Sequence, residues 1–122
     1  MPVRCVVFDA DDTLWDFSSA MHQGLALAVE VARAEGPAAA RKLGAEDLVE
    51  RFDRLHAEHV AVPRPGVPIA SLRPRSFELA LADLGVDDPE LVERMAASYF
   101  GHRHDRLALF PEVVAVLDQL AE

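Results

Sequence analysis

A chain of 122 residues with a formal net charge of −9 and 51% hydrophobic residues has the composition of one folded globular domain at most. The charge excludes a nucleic-acid backbone as partner, because neutralising phosphates needs clustered Lys and Arg and the sequence has no such cluster; a cation, or a substrate carried with one, suits it better. No apolar run approaches the roughly 20 residues of a membrane helix and the N-terminus lacks the apolar stretch of a signal peptide, so the reading is a cytosolic chain without a membrane partner.

Val3 to Phe8 is short, apolar, rich in β-branched residues and followed by polar turn formers, which predicts a fully buried strand. Cys5, the single cysteine, lies in that run and reads as a buried structural thiol. Helical spacing then takes over. Ser18 and Ser19 are placed to cap a helix in which Met21, Leu25, Ala28 and Ala32 recur, ending at Gly36-Pro37. In the next segment Leu48, Phe52, Leu55 and His59 share one face, with Glu46, Glu50, Arg54 and Glu58 opposite, as in a helix with one side in water. Pro63, Pro65 and Pro68 enforce a loop, and Arg73 and Arg75 around Pro74, ahead of a third helix, either face an anionic substrate or, the favoured reading, sit in water along a loop.

That third helix carries Phe77, Ala80, Leu81 and Leu84, with Gly85 as its stop. Asp88 and Pro89 have the types preferred at an N-cap and first helical position, and Leu91, Val92, Met95 and Tyr99 supply a stripe predicted to end at Gly101. Pro111 opens a last helix whose apolar stripe is Val113, Val116, Leu117 and Leu120. One strand cannot satisfy its own backbone N–H and C=O groups, so its partner strands are expected beyond residue 122 or in another chain; Leu107 to Phe110 is only a weak candidate.

The strand is followed at once by Asp9, Asp11 and Asp12, at the carboxyl end, where open α/β sheets place their ligands. Two carboxylates about 4 Å apart repel by roughly 4 kcal/mol at an effective dielectric near 20, so a folded site must supply a cation, protonate one of them or hold them apart. Asp9 is suited to be an oxygen nucleophile toward phosphorus made tolerable by Mg²⁺, and Asp11 to hold the proton a leaving group needs.

Here the sequence resembles the haloacid dehalogenase superfamily, whose first motif is an apolar strand followed by Asp-x-Asp-x-Thr, matched by Asp9, Asp11 and Thr13 with Leu14 behind. Three fixed residues, each about one in twenty, arise by chance in on the order of one window in ten thousand. The resemblance implies an α/β, Rossmann-like core, represented by the first strand and one C-terminal helix, with an inserted α-helical cap; this chain is then mostly α. Residues 1–17 would be the first strand and catalytic loop, 18–105 the cap, and 106–122 the return to the core. It also implies Asp9 as the nucleophile of an aspartyl-phosphate, Asp11 as acid and base, Asp9 and Asp11 as Mg²⁺ ligands, and Ala10, Asp12 and Thr13 as the phosphate loop, Asp12 standing where many relatives have Gly. A second-motif Ser or Thr, a following Lys and a further acidic pair are expected in that family and have no counterpart placed here. The chain therefore reads as an N-terminal portion, inactive by itself and able to self-associate or pair with the remaining core.

A halide leaves without a proton whereas an ester alkoxide needs one, so Asp11 favours a phosphatase or phosphotransferase acting on a small phosphorylated metabolite over a dehalogenase. A non-catalytic helical interaction or regulatory fragment stays open, and a receiver-like phosphoacceptor lacks the alternating strands and helices it needs. His102, His104 and Asp105 read as a solvated hinge, His56 and His59 as a helix face without a third metal ligand, and Trp15 as packing.

Overall fold

The computed structural model describes residues 2–122 and is mostly α-helical. Five helices follow in chain order: α1 (Phe17–Glu35), α2 (Ala45–Ala61), α3 (Leu72–Asp83), α4 (Pro89–Arg106) and α5 (Val113–Ala121), with 3₁₀ turns at Ala38–Lys42 and Ile69–Ser71. None is long and apolar enough to cross a membrane.

Helices α1 to α4 form one bundle. α1 packs most extensively on α4, and α3 lies against both α2 and α4. The core joins Leu25, Ala28 and Ala32 of α1, Leu48 of α2, Phe77 and Leu81 of α3, and Leu91, Met95 and Tyr99 of α4, all within 2% of full burial. Burying each large apolar side chain contributes about 1.5–3 kcal/mol. The α1–α4 seam is close because α1 presents small residues: a Cβ on Gly24 would stand 3.0 Å from the Tyr99 ring. Ion pairs reinforce the rim, Arg94 to Glu35 at 2.5 Å across α4 and α1 and Arg51 to Asp83 across α2 and α3.

The caps explain the boundaries. Asp88 Oδ1 accepts from the Leu91 N–H at 3.0 Å, with Pro89 at the first helical position. Gly85, at φ +74°, closes α3: its N–H reaches the Ala82 carbonyl and the Val86 N–H the Leu81 carbonyl, both at 2.9 Å. At the start of α2 the Asp47 carboxylate accepts from the Gly44 N–H at 2.8 Å.

Several expectations are corrected. Val3 to Phe8 forms no strand, and Val3 and Val7 are 79% and 88% exposed; with no neighbouring strand, the run has nothing to pair with or bury against. Cys5 is accordingly exposed. The α1 cap is Asp16, whose Oδ1 accepts from the Ser19 N–H at 3.1 Å, rather than a serine. Gly101 does not end α4: its backbone stays helical, and the helix continues through His102, Arg103 and His104 to Arg106, so these residues form its last turn and not a hinge. Pro111 lies in a turn before α5. Of the α5 stripe only Val113 is buried, whereas Val116, Leu117 and Leu120 are 40–53% exposed because no element covers that face.

Gly36 follows α1 at φ −84°, a conformation any residue adopts, but its Cα faces a crowded corner. An added Cβ would lie 2.5 Å from the Ala32 carbonyl oxygen and 2.8 Å from Leu91 Cδ2. Gly36→Ala is expected to destabilise the bundle by about 1–3 kcal/mol, the usual range for overpacking, read as a lower urea midpoint at unchanged slope. An unchanged midpoint would show that the α1–α4 corner is looser than described.

Candidate functional site

The acidic loop is built by backbone bonds around one carbonyl. Ala10 C=O accepts from the N–H groups of Thr13, Leu14 and Trp15 at 3.3, 2.9 and 3.4 Å, and the Asp12 N–H returns to the Trp15 carbonyl at 2.9 Å. Asp12 sits at φ +58°, the left-handed region that Asp tolerates better than most residues. The loop is then tied to the far end of the bundle: the Asp16 N–H donates to Ala108 C=O and the Phe110 N–H to Leu14 C=O, both at 3.0 Å. Trp15 bridges Leu109 in this short antiparallel contact. The segments leading into α1 and out of α4 thus meet directly below the aspartates.

The carboxylates have different partners. Trp15 Nε1 donates to Asp11 Oδ1 at 2.8 Å, so this tryptophan orients a candidate acid rather than simply packing. Asp12 accepts from Ser18 twice, from the backbone N–H at 2.8 Å and from Oγ at 2.5 Å. Those two bonds hold the Asp12 carboxyl below the ordinary aspartate range, with smaller help from the Phe17 N–H and His22. Asp9, Asp11, Asp12 and Thr13 are exposed and Ala10 is half-buried. Thr13 contributes its backbone N–H to the turn.

Mg²⁺ takes about six oxygen ligands. Asp9 and Asp11 offer hard carboxylate oxygens, yet among the described residues no group of three or more His, Cys, Asp or Glu side chains gathers. Asp9 and Asp11 would supply two of those oxygens. Lys42, the sole lysine, cannot stand in as a phosphate ligand. It lies in the 3₁₀ turn beyond α1, whose 19 residues span about 28 Å at 1.5 Å per residue. His102 meets Gln23 at 3.1 Å, and His56 stacks on Phe52 at 5.8 Å, so neither histidine pair gathers a ligand set.

One arginine is placed differently from the favoured sequence reading. Arg73, expected in a solvated loop, lies in the first turn of α3 and is 6% exposed, while Arg75 is exposed and paired with Glu78. The Arg73 guanidinium carbon stands 3.6 Å over the Phe52 ring and 5.1 Å from that of Tyr99. Burial pushes it below the ordinary guanidinium value; Arg103 adds to that effect, and Tyr99 and Asp53 oppose it. A desolvated cation–π contact is worth about 2 kcal/mol, against several for removing an ion from water. No local pattern marks such an arginine, since the aromatic rings come from α2 and α4.

No protein-family model matches this chain, and no curated protein matches it.

Because the Asp12 carboxyl is depressed, it contributes stability that is fully present above the ordinary aspartate range and is lost as pH falls through its folded value. Ser18→Ala is expected to move the Asp12 titration upward, toward the ordinary range, in a carboxyl-carbon NMR titration. The stability difference from the parent should then shrink on acidification. An unmoved titration would show that Ser18 does not hold this carboxylate.

Proposed function

We propose that residues 9–13 are the phosphoryl-transfer loop of a phosphatase of haloacid dehalogenase type, acting with Mg²⁺ on a small phosphorylated metabolite. The observation that supports it is the division of roles among the carboxylates. Asp12 and Asp16 are engaged by Ser18 and Ser19, Asp11 is oriented through one oxygen by Trp15, and Asp9 stands exposed at the head of the turn. A nucleophile has to be accessible and an acid has to be aimed.

On this reading an Asp9 oxygen bonds to phosphorus as the ester P–O bond breaks, and the leaving alkoxide takes a proton from Asp11. Asp11, then ionised, accepts a proton from the water that attacks phosphorus and frees Asp9. Asp9 and Asp11 then supply only part of the phosphate and cation ligands, so the 122-residue chain alone is expected to show no turnover. The competing reading is a non-catalytic interaction module, favoured by the exposed apolar residues of the N-terminal segment and α5.

The test is hydrolysis of a generic phosphate monoester with Mg²⁺ by the protein expressed from its own gene in its native host. Asp9→Asn is expected to remove it by at least about a thousandfold. Asp11→Asn should keep formation of the covalent intermediate from an ester with an activated leaving group while losing most turnover on alkyl esters. Full activity in Asp9→Asn refutes the nucleophile, equal losses on both esters refute the acid, and absence of any activity in the parent favours the interaction module. Turnover by the isolated 122-residue chain would overturn the incomplete ligand set.

A further inference from the structure

Arg73 and Arg103 stand around one tyrosine in the helical bundle, and Asp53 eases the Arg73 charge only from beyond ion-pair distance. Arg73 forms none of the ion pairs found among the described residues, and its Nη2 meets only Met21 Sδ at 3.5 Å, a weak acceptor. Arg103 approaches the same Tyr99 ring from the last turns of α4, its guanidinium carbon 5.9 Å from the ring centre and 5.3 Å from that of Phe100. The Tyr99 ring is fully buried; its hydroxyl lies within reach of Arg73 but completes no hydrogen bond of good geometry. Buried hydroxyls are nearly always paired, and buried charges nearly always have a counterion. Here a buried hydroxyl without a well-formed bond lies beside a buried arginine, and a half-buried second arginine approaches the same ring.

We propose that Arg73, Tyr99 and Arg103 bind a small organic anion through a carboxylate or phosphate group. The guanidinium of Arg73 would hold two of its oxygens, the Tyr99 hydroxyl would donate to one of them, and Arg103 would complete the neutralisation. Met21 occupies the position of the missing acceptor. It is half-buried, unbranched and flexible, so it can swing aside without breaking the backbone of α1. Met21 is one helical turn from Phe17, where α1 leaves the acidic loop, so the anion site and the loop lie toward the same end of the bundle. The proposal does not depend on the phosphatase reading.

The probes are inorganic phosphate and succinate, each added to the 122-residue protein at ionic strength matched with sodium chloride, with thermal unfolding and calorimetric titration as readouts. At least one is expected to raise the melting temperature by several degrees beyond chloride, and which one does so assigns phosphate or carboxylate. Tyr99→Phe removes one oxygen that completes no hydrogen bond of good geometry; it should fold about as stably as the parent without anion and bind the effective anion at least tenfold more weakly. Arg73→Met, which keeps the stem, should abolish the shift, and Arg75→Gln should leave it intact. If neither anion acts beyond chloride, or if Tyr99→Phe binds as tightly as the parent, the site is refuted.

Discussion

The two backbone bonds joining Leu14 and Asp16 to Phe110 and Ala108 are the constraint on which the arrangement rests. They bring the residues before α1 and after α4 to one place, so the bundle begins and ends at a single neck. An acidic loop on a chain with free ends would adopt many conformations, and three carboxylates would drift apart to lower their repulsion. Instead Ala10 gathers three N–H groups and the neck fixes the far side of the turn. The turn is fixed by backbone bonds, while the Asp11 and Asp12 carboxylates go to different partners, Trp15 and Ser18.

The neck depends in turn on the α1–α4 seam. α1 and α4 must lie close for their outer ends to pair, and the small residues Ala20, Gly24 and Ala28 allow that approach. Tyr99 packs edge-on against Phe77 and Phe100 and fills the space that these small residues leave. The same packing produces the buried arginine: once Tyr99 and Phe52 are placed, the first turn of α3 delivers Arg73 between their rings.

Helices α1 to α4 were legible in the sequence because their signals are local. A cap such as Asp88-Pro89 acts within one turn, and a stripe such as Leu91, Met95 and Tyr99 needs only a period. Gly85 and Gly101 show the limit of that logic. Both are glycines after an apolar stripe, but only Gly85 takes up the left-handed backbone that ends a helix, while in α4 Phe100 still packs on the core and Arg103 stands over Phe17 of α1. In the acidic loop the residues were legible and their partners were not. Trp15 meets Asp11 through a tight turn that residue spacing does not encode, and the left-handed Asp12 follows from its placement between the Ala10 turn and Ser18.

Residues 3–8 illustrate a different gap, between propensity and structure. Their β-branched composition favours extended backbone, but a strand exists only as part of a ladder, and they take no regular secondary structure. Apolar on both faces and unpaired along both edges, the segment has the chemistry of a central strand in a parallel sheet without the sheet. The exposed side of α5, with Val116, Leu117 and Leu120, has the complementary character of a helix made to cover such a sheet. The acidic loop separates the first of these surfaces from the bundle, and the neck strand around Leu109 leads directly into the second. The two apolar surfaces therefore both connect to the neck that carries the carboxylates, residues 3–8 through Asp9 and α5 through Phe110, whose N–H donates to the Leu14 carbonyl.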